Sequence, residues 1–237
     1  MATTVRITQN SHVLLGELAR ETGSPMTEIL DAALEGYRRQ RLLDQANAGK
    51  KRVGIVFYEW NTMWDRPGDV ISGVFAAGML NMFCREAENL NLELTGYFQP
   101  ITEGAIKVDP LTSELEADGE VFSLFAPHQG NRLLKTSSLA ADADIDLCAS
   151  LSPDGKSIFV TVINRNTATD RTLELSLLNF TPQTIVTAKF LIPLTQETGG
   201  EFVRLDEKLI VSDGGNLKLK IPACTLVGML FSIKINN

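Results

Sequence analysis

The spacing of hydrophobic positions changes three times along the chain. Thr4-Val5-Arg6-Ile7-Thr8 alternates polar and apolar, the period of a strand with one buried face. Ser11 is a helix-capping residue, Val13, Leu14, Leu15 and Leu18 follow at helical spacing, and Gly23 supplies a stop. Ser24-Pro25 opens a second helix, whose stripe is Ile29, Leu30, Ala33, Leu34 and Tyr37. The period is then lost. Residues 53–58 are nearly all apolar, which predicts a short strand buried on both faces, as in a parallel sheet. Residues 70–88 predict a long helix, with Gly73, Ala76, Ala77 and Gly78 small enough for close packing on a sheet. From about residue 138 the pattern is strand after strand: 145–151, 157–164, 173–177, 185–190, 217–221 and 225–235, with a turn at Ser152-Pro153-Asp154-Gly155-Lys156. Six or seven short strands at such spacing predict an antiparallel sandwich or jelly roll.

The expected fold is therefore a multi-part α+β chain with three segments. Residues 1–49 form a strand-helix-helix module, 50–137 a strand-helix region of parallel-sheet type, and 138–237 a β-sandwich. One strand and two helices bury too little surface to stand alone. Two copies solve this by pairing their strands into an antiparallel ribbon, so a homodimer is expected. Such a ribbon fits the major groove of DNA.

Charge sharpens that division. The whole chain carries a net charge of -7, but residues 1–52 hold eight Lys/Arg and six Asp/Glu, a balance of +2, and the remainder is -9. Only the N-terminal segment is electrostatically suited to phosphate. Three widely spaced cysteines, Cys84, Cys148 and Cys224, suggest a reducing compartment without a disulfide framework. The opening residues lack the apolar core of a signal peptide, and the longest apolar run, 70–83, is too short to span a bilayer. A cytoplasmic protein that does not enter membranes is expected. His12 and His128 stand outside any metal-ligand spacing, and no glycine-rich phosphate loop follows a strand, so neither a metal nor a cofactor is expected.

The candidate chemistry lies at the end of the apolar strand. Glu59 closes it, followed by Trp60, Asn61 and Trp64. Functional residues of α/β barrels stand at strand C-termini. A carboxylate there can attack an anomeric carbon, and aromatic faces stack on sugar rings. Glu103 and the acidic group Asp109, Glu114, Glu116 and Asp118 read as a solvated loop. The sandwich segment has no Trp or Tyr, which argues against an aromatic sugar-binding platform there.

Two family resemblances rest on these residues. The strand, the two helices and the Gly-Ser-Pro turn of residues 3–45 resemble a ribbon-helix-helix domain of the bacterial repressor and antitoxin type. The resemblance implies a transcription regulator whose Thr4, Arg6 and Thr8 face bases, with backbone N–H groups from Ser24 to Thr27 holding a phosphate. The run 55–64, the stretch Gly78-Met79-Leu80-Asn81-Met82-Phe83 and the later stretch 119–130, with His128, resemble the C-terminal part of family 51 glycoside hydrolases, the α-L-arabinofuranosidases of arabinose metabolism. That likeness covers 52–235. It implies Glu59 as the nucleophile of a retaining mechanism, Trp60, Asn61 and Trp64 supporting the sugar, and a partial (β/α) barrel remnant over 50–137. Two departures stand against activity. Tyr58 replaces the Asp that usually precedes the nucleophile. The acid/base Glu of that family lies in an Asn-Glu pair on an earlier strand, and no Asn-Glu pair precedes Glu59. At about 250 residues for eight β/α units, six units lack room upstream. Retaining hydrolysis needs two carboxyls about 5–5.5 Å apart. The expectation is a DNA-binding dimer fused to a catalytically incomplete glycosidase region. The alternative is a glycosidase fragment active on an arabinose-containing glycan only when a complementing barrel chain supplies the second carboxylate.

Overall fold

A computed structural model describes residues 54–62, 68–101, 103–137, 142–195, 200–212 and 215–233, together with Glu17, Arg20 and Gly36. The chain divides into two units, Met1–Val53 and Gly54–Asn237, and every strand below belongs to the second. Apart from Glu17, Arg20 and Gly36, the ribbon and helices expected over 3–45 lie outside the described residues.

The second unit opens with a β-α-β turn of chain. Strand β1 (Ile55–Trp60) is joined by helix α1 (Val70–Leu90) to strand β2 (Leu92–Tyr97), and the two strands pair in parallel. Asp69 caps α1 by accepting from Ser72 N at 2.8 Å. Asn91 ends it in the left-handed conformation, φ 50°, which Asn tolerates better than most residues. A small hairpin follows, β3 (Ile106–Val108) with β4 (Ser113–Leu115). Helix α2 (Ala117–Phe125) and a 3-10 turn (Ala126–His128) lead into the sandwich.

The sandwich has one large sheet and one small one. Strands β5 (Arg132–Leu133), β6 (Ile145–Leu151), β7 (Ser157–Asn164), β9 (Ile185–Pro193), β10 (Phe202–Ile210) and β12 (Leu226–Ser232) form the large sheet, in the order β10-β9-β12-β7-β6-β5. Strands β8 (Arg171–Ser176) and β11 (Asn216–Ile221) form the small one. The large sheet is the middle of three layers. From one face, Ile158, Val160, Val162, Val227, Met229 and Phe231 pack toward Leu217, Leu219 and Ile221 of β11. From the other, Ile163, Leu191 and Leu226 join Val70, Ala76, Ala77, Val121 and Leu124 of the helices. Gly228 makes this second contact possible: a Cβ there would lie 2.8 Å from Leu124 Cδ1.

Four expectations are corrected. First, β1 is not buried on both faces. Among the described residues it has one neighbouring strand, and Ile55, Val56, Phe57 and Tyr58 are all exposed, Tyr58 at 61%. Among the described residues β1 and β2 make a two-stranded sheet and no closed barrel. Second, Gly78 is not at a close approach, because nothing lies within 4 Å of a Cβ built there. Gly73 is: its Cβ would meet Phe202 and Ala117, at 2.5 and 3.3 Å. Third, β10 was not expected. Its run Phe202-Val203-Arg204-Leu205-Asp206-Glu207-Lys208-Leu209-Ile210 mixes charge into both faces, as an edge strand should, and so hides its period. Fourth, Asp118 is not solvated; it is completely buried.

Candidate functional site

Glu59 stands one residue from the end of β1 and is exposed. Phe57 pairs with Thr95 and Trp60 with Tyr97, so three steps on β1 oppose two on β2. The extra residue is a β-bulge at Tyr58-Glu59, a device that re-aims side chains. Gly96 lies opposite, where a Cβ would be 2.8 Å from the Tyr58 carbonyl oxygen. Because of the bulge, Phe57 and Trp60 both reach Phe83 of α1, with ring centroids 5.8 and 5.4 Å away.

Trp60 takes no open position beside this carboxylate. It is 4% exposed and walled in by Phe83, Tyr97 and Phe122. No ring face is left for a sugar, so its part is to anchor the strand end. Its indole N–H is buried without an acceptor among the described residues, at a cost of about 1–3 kcal/mol. Asn61 is also committed to the protein. Its Nδ2 donates to the carbonyls of Phe98 and Glu103, at 2.9 and 3.3 Å, and to Glu103 Oε2 at 3.4 Å. Its Oδ1 accepts from Thr62 N at 2.6 Å. Asn61 thus ties the end of β1 to the loop after β2. Trp64, Thr4, Arg6, Thr8, Ser24 and Thr27 lie outside the described residues.

Beneath this end of the sheet lies a group that the pattern of residues concealed. Asp118, on α2, accepts from Ser72 Oγ at 2.7 Å and from the Tyr97 hydroxyl. Ser72 spends its one proton on that carboxylate, so Thr62 Oγ1 donates to Ser72, 2.6 Å away. The chain of bonds therefore runs from the β1 end down to Asp118. Gly104, at φ 104°, brings its backbone over the carboxylate, where a Cβ would lie 2.4 Å from Oδ2. Burial pushes the Asp118 carboxyl up to about 6, against the lowering effect of its two hydroxyl donors. Tyr97 is pushed well above its ordinary value by burial and by the adjacent carboxylate.

His128 anchors a second buried network. Its Nδ1 is 2.7 Å from Ser150 Oγ and its Nε2 is 3.0 Å from Thr161 Oγ1. Thr161 donates to Asn81 Oδ1 at 2.8 Å, and Asn81 Nδ2 donates to Asp146 Oδ1 at 3.4 Å. With the Thr161 proton committed, His128 must donate through Nε2 and accept at Nδ1. Ser150 meets that need while accepting from Asn131 Nδ2 at 3.0 Å. Every donor has one acceptor only if the imidazole is neutral. Burial lowers its pKa to about 4. His128 therefore holds α1 and the 3-10 turn against β6 and β7 and does not face a cleft.

Among the described residues no group of three or more His, Cys, Asp or Glu could hold a metal ion. No helix there is long and apolar enough to cross a membrane.

No protein-family model and no curated protein sequence matches the chain. Solved structures do. The α-L-arabinofuranosidase from Thermotoga maritima, in an arabinose complex, is 20% identical with a TM-score of 0.67; the match covers 86% of this chain and 48% of that one. The family 51 arabinofuranosidase from Xanthomonas axonopodis pv. citri is 16% identical, TM-score 0.66, over 87% of this chain and 46% of that one. A family 30 endoxylanase from Clostridium papyrosolvens is 12% identical, TM-score 0.58, over 81% and 44%. The likeness is one of fold. The chain spans about half the length of the solved structures it matches.

Proposed function

We propose that residues 54–237 are the C-terminal part of a retaining α-L-arabinofuranosidase body, with Glu59 as nucleophile, that acts only when another polypeptide supplies the acid/base carboxylate. One observation carries this reading. Glu59 stands at the C-terminal end of a parallel strand whose outward side is apolar and exposed, and parallel strands are ordinarily covered on both faces. The complementing chain would bring further parallel strands to β1 and the second carboxyl to the sugar. The fold shared with arabinofuranosidases favours this substrate class over others.

An aryl α-L-arabinofuranoside assay tests it. The chain alone should hydrolyse nothing. Mixed with an arabinofuranosidase fragment that lacks its last two β/α units, it should turn over, and Glu59→Gln should abolish that turnover. Equal turnover with Glu59→Gln, or turnover by the chain alone, refutes the reading.

A second reading concerns residues 1–49 and is favoured by their positive balance against an acidic remainder. They would form a homodimeric DNA-binding ribbon read through Arg6. A salt-dependent shift on DNA from the chain's own promoter, lost in Arg6→Ala, is the expected result. No shift at low salt defeats it.

A further inference from the structure

Helix α1 and strand β6 cross with one cysteine on each. Asn81, Cys84 and Arg85 fall on a single helix face, three and four residues apart. Asp146 and Cys148 fall on a single strand face, two residues apart. The two faces meet in pairs. Arg85 donates to Asp146 Oδ1 at 2.5 Å and to the Leu147 carbonyl at 3.2 Å, and Asn81 donates to Asp146 as well. Beside these contacts the Cys84 and Cys148 thiols lie close enough to shift one another's ionisation. Cys84 is half-buried; Cys148 is completely buried. Both are free thiols.

We propose that Cys84 and Cys148 form a dithiol–disulfide pair, a modification site for small-molecule disulfides of the glutathione type, with Cys84 the attacking thiol and Cys148 the resolving one. The two thiols differ as those roles require. Contact with Cys148 and the adjacent Arg85 guanidinium hold Cys84 below the ordinary thiol range, which raises its thiolate fraction. Contact with Cys84 and burial push Cys148 well up, so it stays protonated until its neighbour has reacted.

The exchange balances without other reactants. The Cys84 thiolate attacks one sulfur of the small disulfide. A protein–small-molecule S–S bond forms, the original S–S bond breaks, and one thiolate leaves. That thiolate takes the Cys148 proton. Cys148 then attacks Cys84 Sγ and expels the second small thiolate, which is protonated from water. Two protein thiols are oxidised and one small disulfide is reduced to two thiols. The product would bolt α1, which backs the Glu59 strand, to the sandwich.

Treatment of the full chain with oxidised glutathione is the test. Two of the three thiols should disappear, the mass should fall by two hydrogens, and non-reducing peptide mapping should link the peptides bearing residues 84 and 148. Dithiothreitol should reverse all three changes, and the oxidised form should melt at a higher temperature. Cys148→Ala should trap one glutathione on Cys84, and Cys84→Ser should consume no thiol. Cys148→Ser, which keeps the size and shape, should trap glutathione equally and separates the chemistry from a folding defect. Retention of all three thiols in the wild type, consumption of Cys224, or failure of both Cys148 variants to trap glutathione overturns the proposal.

Discussion

Strands β1 and β7 share one sequence signal and meet opposite fates. Ile55-Val56-Phe57-Tyr58 and Ile158-Phe159-Val160 are both apolar runs without alternation, the pattern of a strand covered on two sides. In β7 the pattern is fulfilled. Residues 158–164 are all buried, between the helices and the small sheet. In β1 only Trp60 is buried, and the four residues 55–58 are exposed. The contrast separates two things that a hydrophobic run encodes. It records the surroundings a strand is suited to; the rest of the fold decides whether those surroundings are present.

The largest effect should come from β7. Ile163 is completely buried on the helix-facing side. Ile163→Ala should cost about 3 kcal/mol, within the 2–5 kcal/mol seen when a large core aliphatic is cut to alanine. The midpoint of urea unfolding checks it. A loss below 1 kcal/mol would mean that the helices and the large sheet are not one packed body.

His128 tests the same interface through pH. Its folded pKa, about 4, lies below the ordinary 6.5. A depressed histidine stabilises the fold above the unfolded value. That stability falls as pH drops from 6.5 toward 4, because the unfolded chain takes up the proton first. The span corresponds to about 3 kcal/mol. Unfolding free energies across this window should decline relative to His128→Gln. Ring NMR should show a neutral imidazole protonated at Nε2 down to about pH 4. A ring that titrates near 6.5 would break the hydrogen-bond chain from Ser150 to Asp146 as drawn above.

Asp118 has the opposite sign and a somewhat smaller expected effect. Its folded pKa, about 6, is raised above the ordinary 3.8. A raised carboxyl contributes stability only while it is protonated, so stability falls as pH rises from 3.8 to 6. The two groups therefore offset one another in the wild type, and each emerges when the other is removed. Asp118→Asn keeps the size and should flatten its share, about 2–3 kcal/mol between pH 4 and 6, read as the difference in urea midpoint between the two proteins. No pH-dependent difference would place Asp118 in water, as the sequence alone suggested.

These two residues also mark how far the sequence could be read. The sandwich strands were legible because β6, β8, β9 and β11 carry a short period between clear turns. The helix at Val70–Leu90 was legible from its length and small residues. Asp118 and β10 were not. Asp118 sits in an acidic run with Glu114, Glu116 and Glu120, and nothing local says which carboxylate turns inward. Its burial depends on Ser72 and Tyr97, which approach only once α1 and β2 are in place. β10 carries charge on both faces of an edge strand, which hides its period. One side is met by Glu120 of α2, which pairs with Arg204, a partner about eighty positions away. At Glu59 the strand end could be read from the sequence. The bulge could not, because it exists only in the pairing with Gly96.

The smallest expected effects lie on β1, and they give the comparison its sharpest form. Val56 is 52% exposed and Glu59 is exposed. Surface substitutions away from caps, cores and strained backbone stay within about 0.5 kcal/mol. Val56→Thr keeps the β-branched shape, and Glu59→Gln keeps the size, so both should leave the urea midpoint of the chain unchanged. Ile163→Ala removes three carbons from a completely buried side chain and should lower it. If Val56→Thr cost as much as a core substitution, β1 would be covered in solution by a surface of this same chain, and no second polypeptide would be needed at that edge. A silent Val56→Thr leaves the apolar strand exposed. A silent Glu59→Gln leaves Glu59 without a part in the stability of the chain.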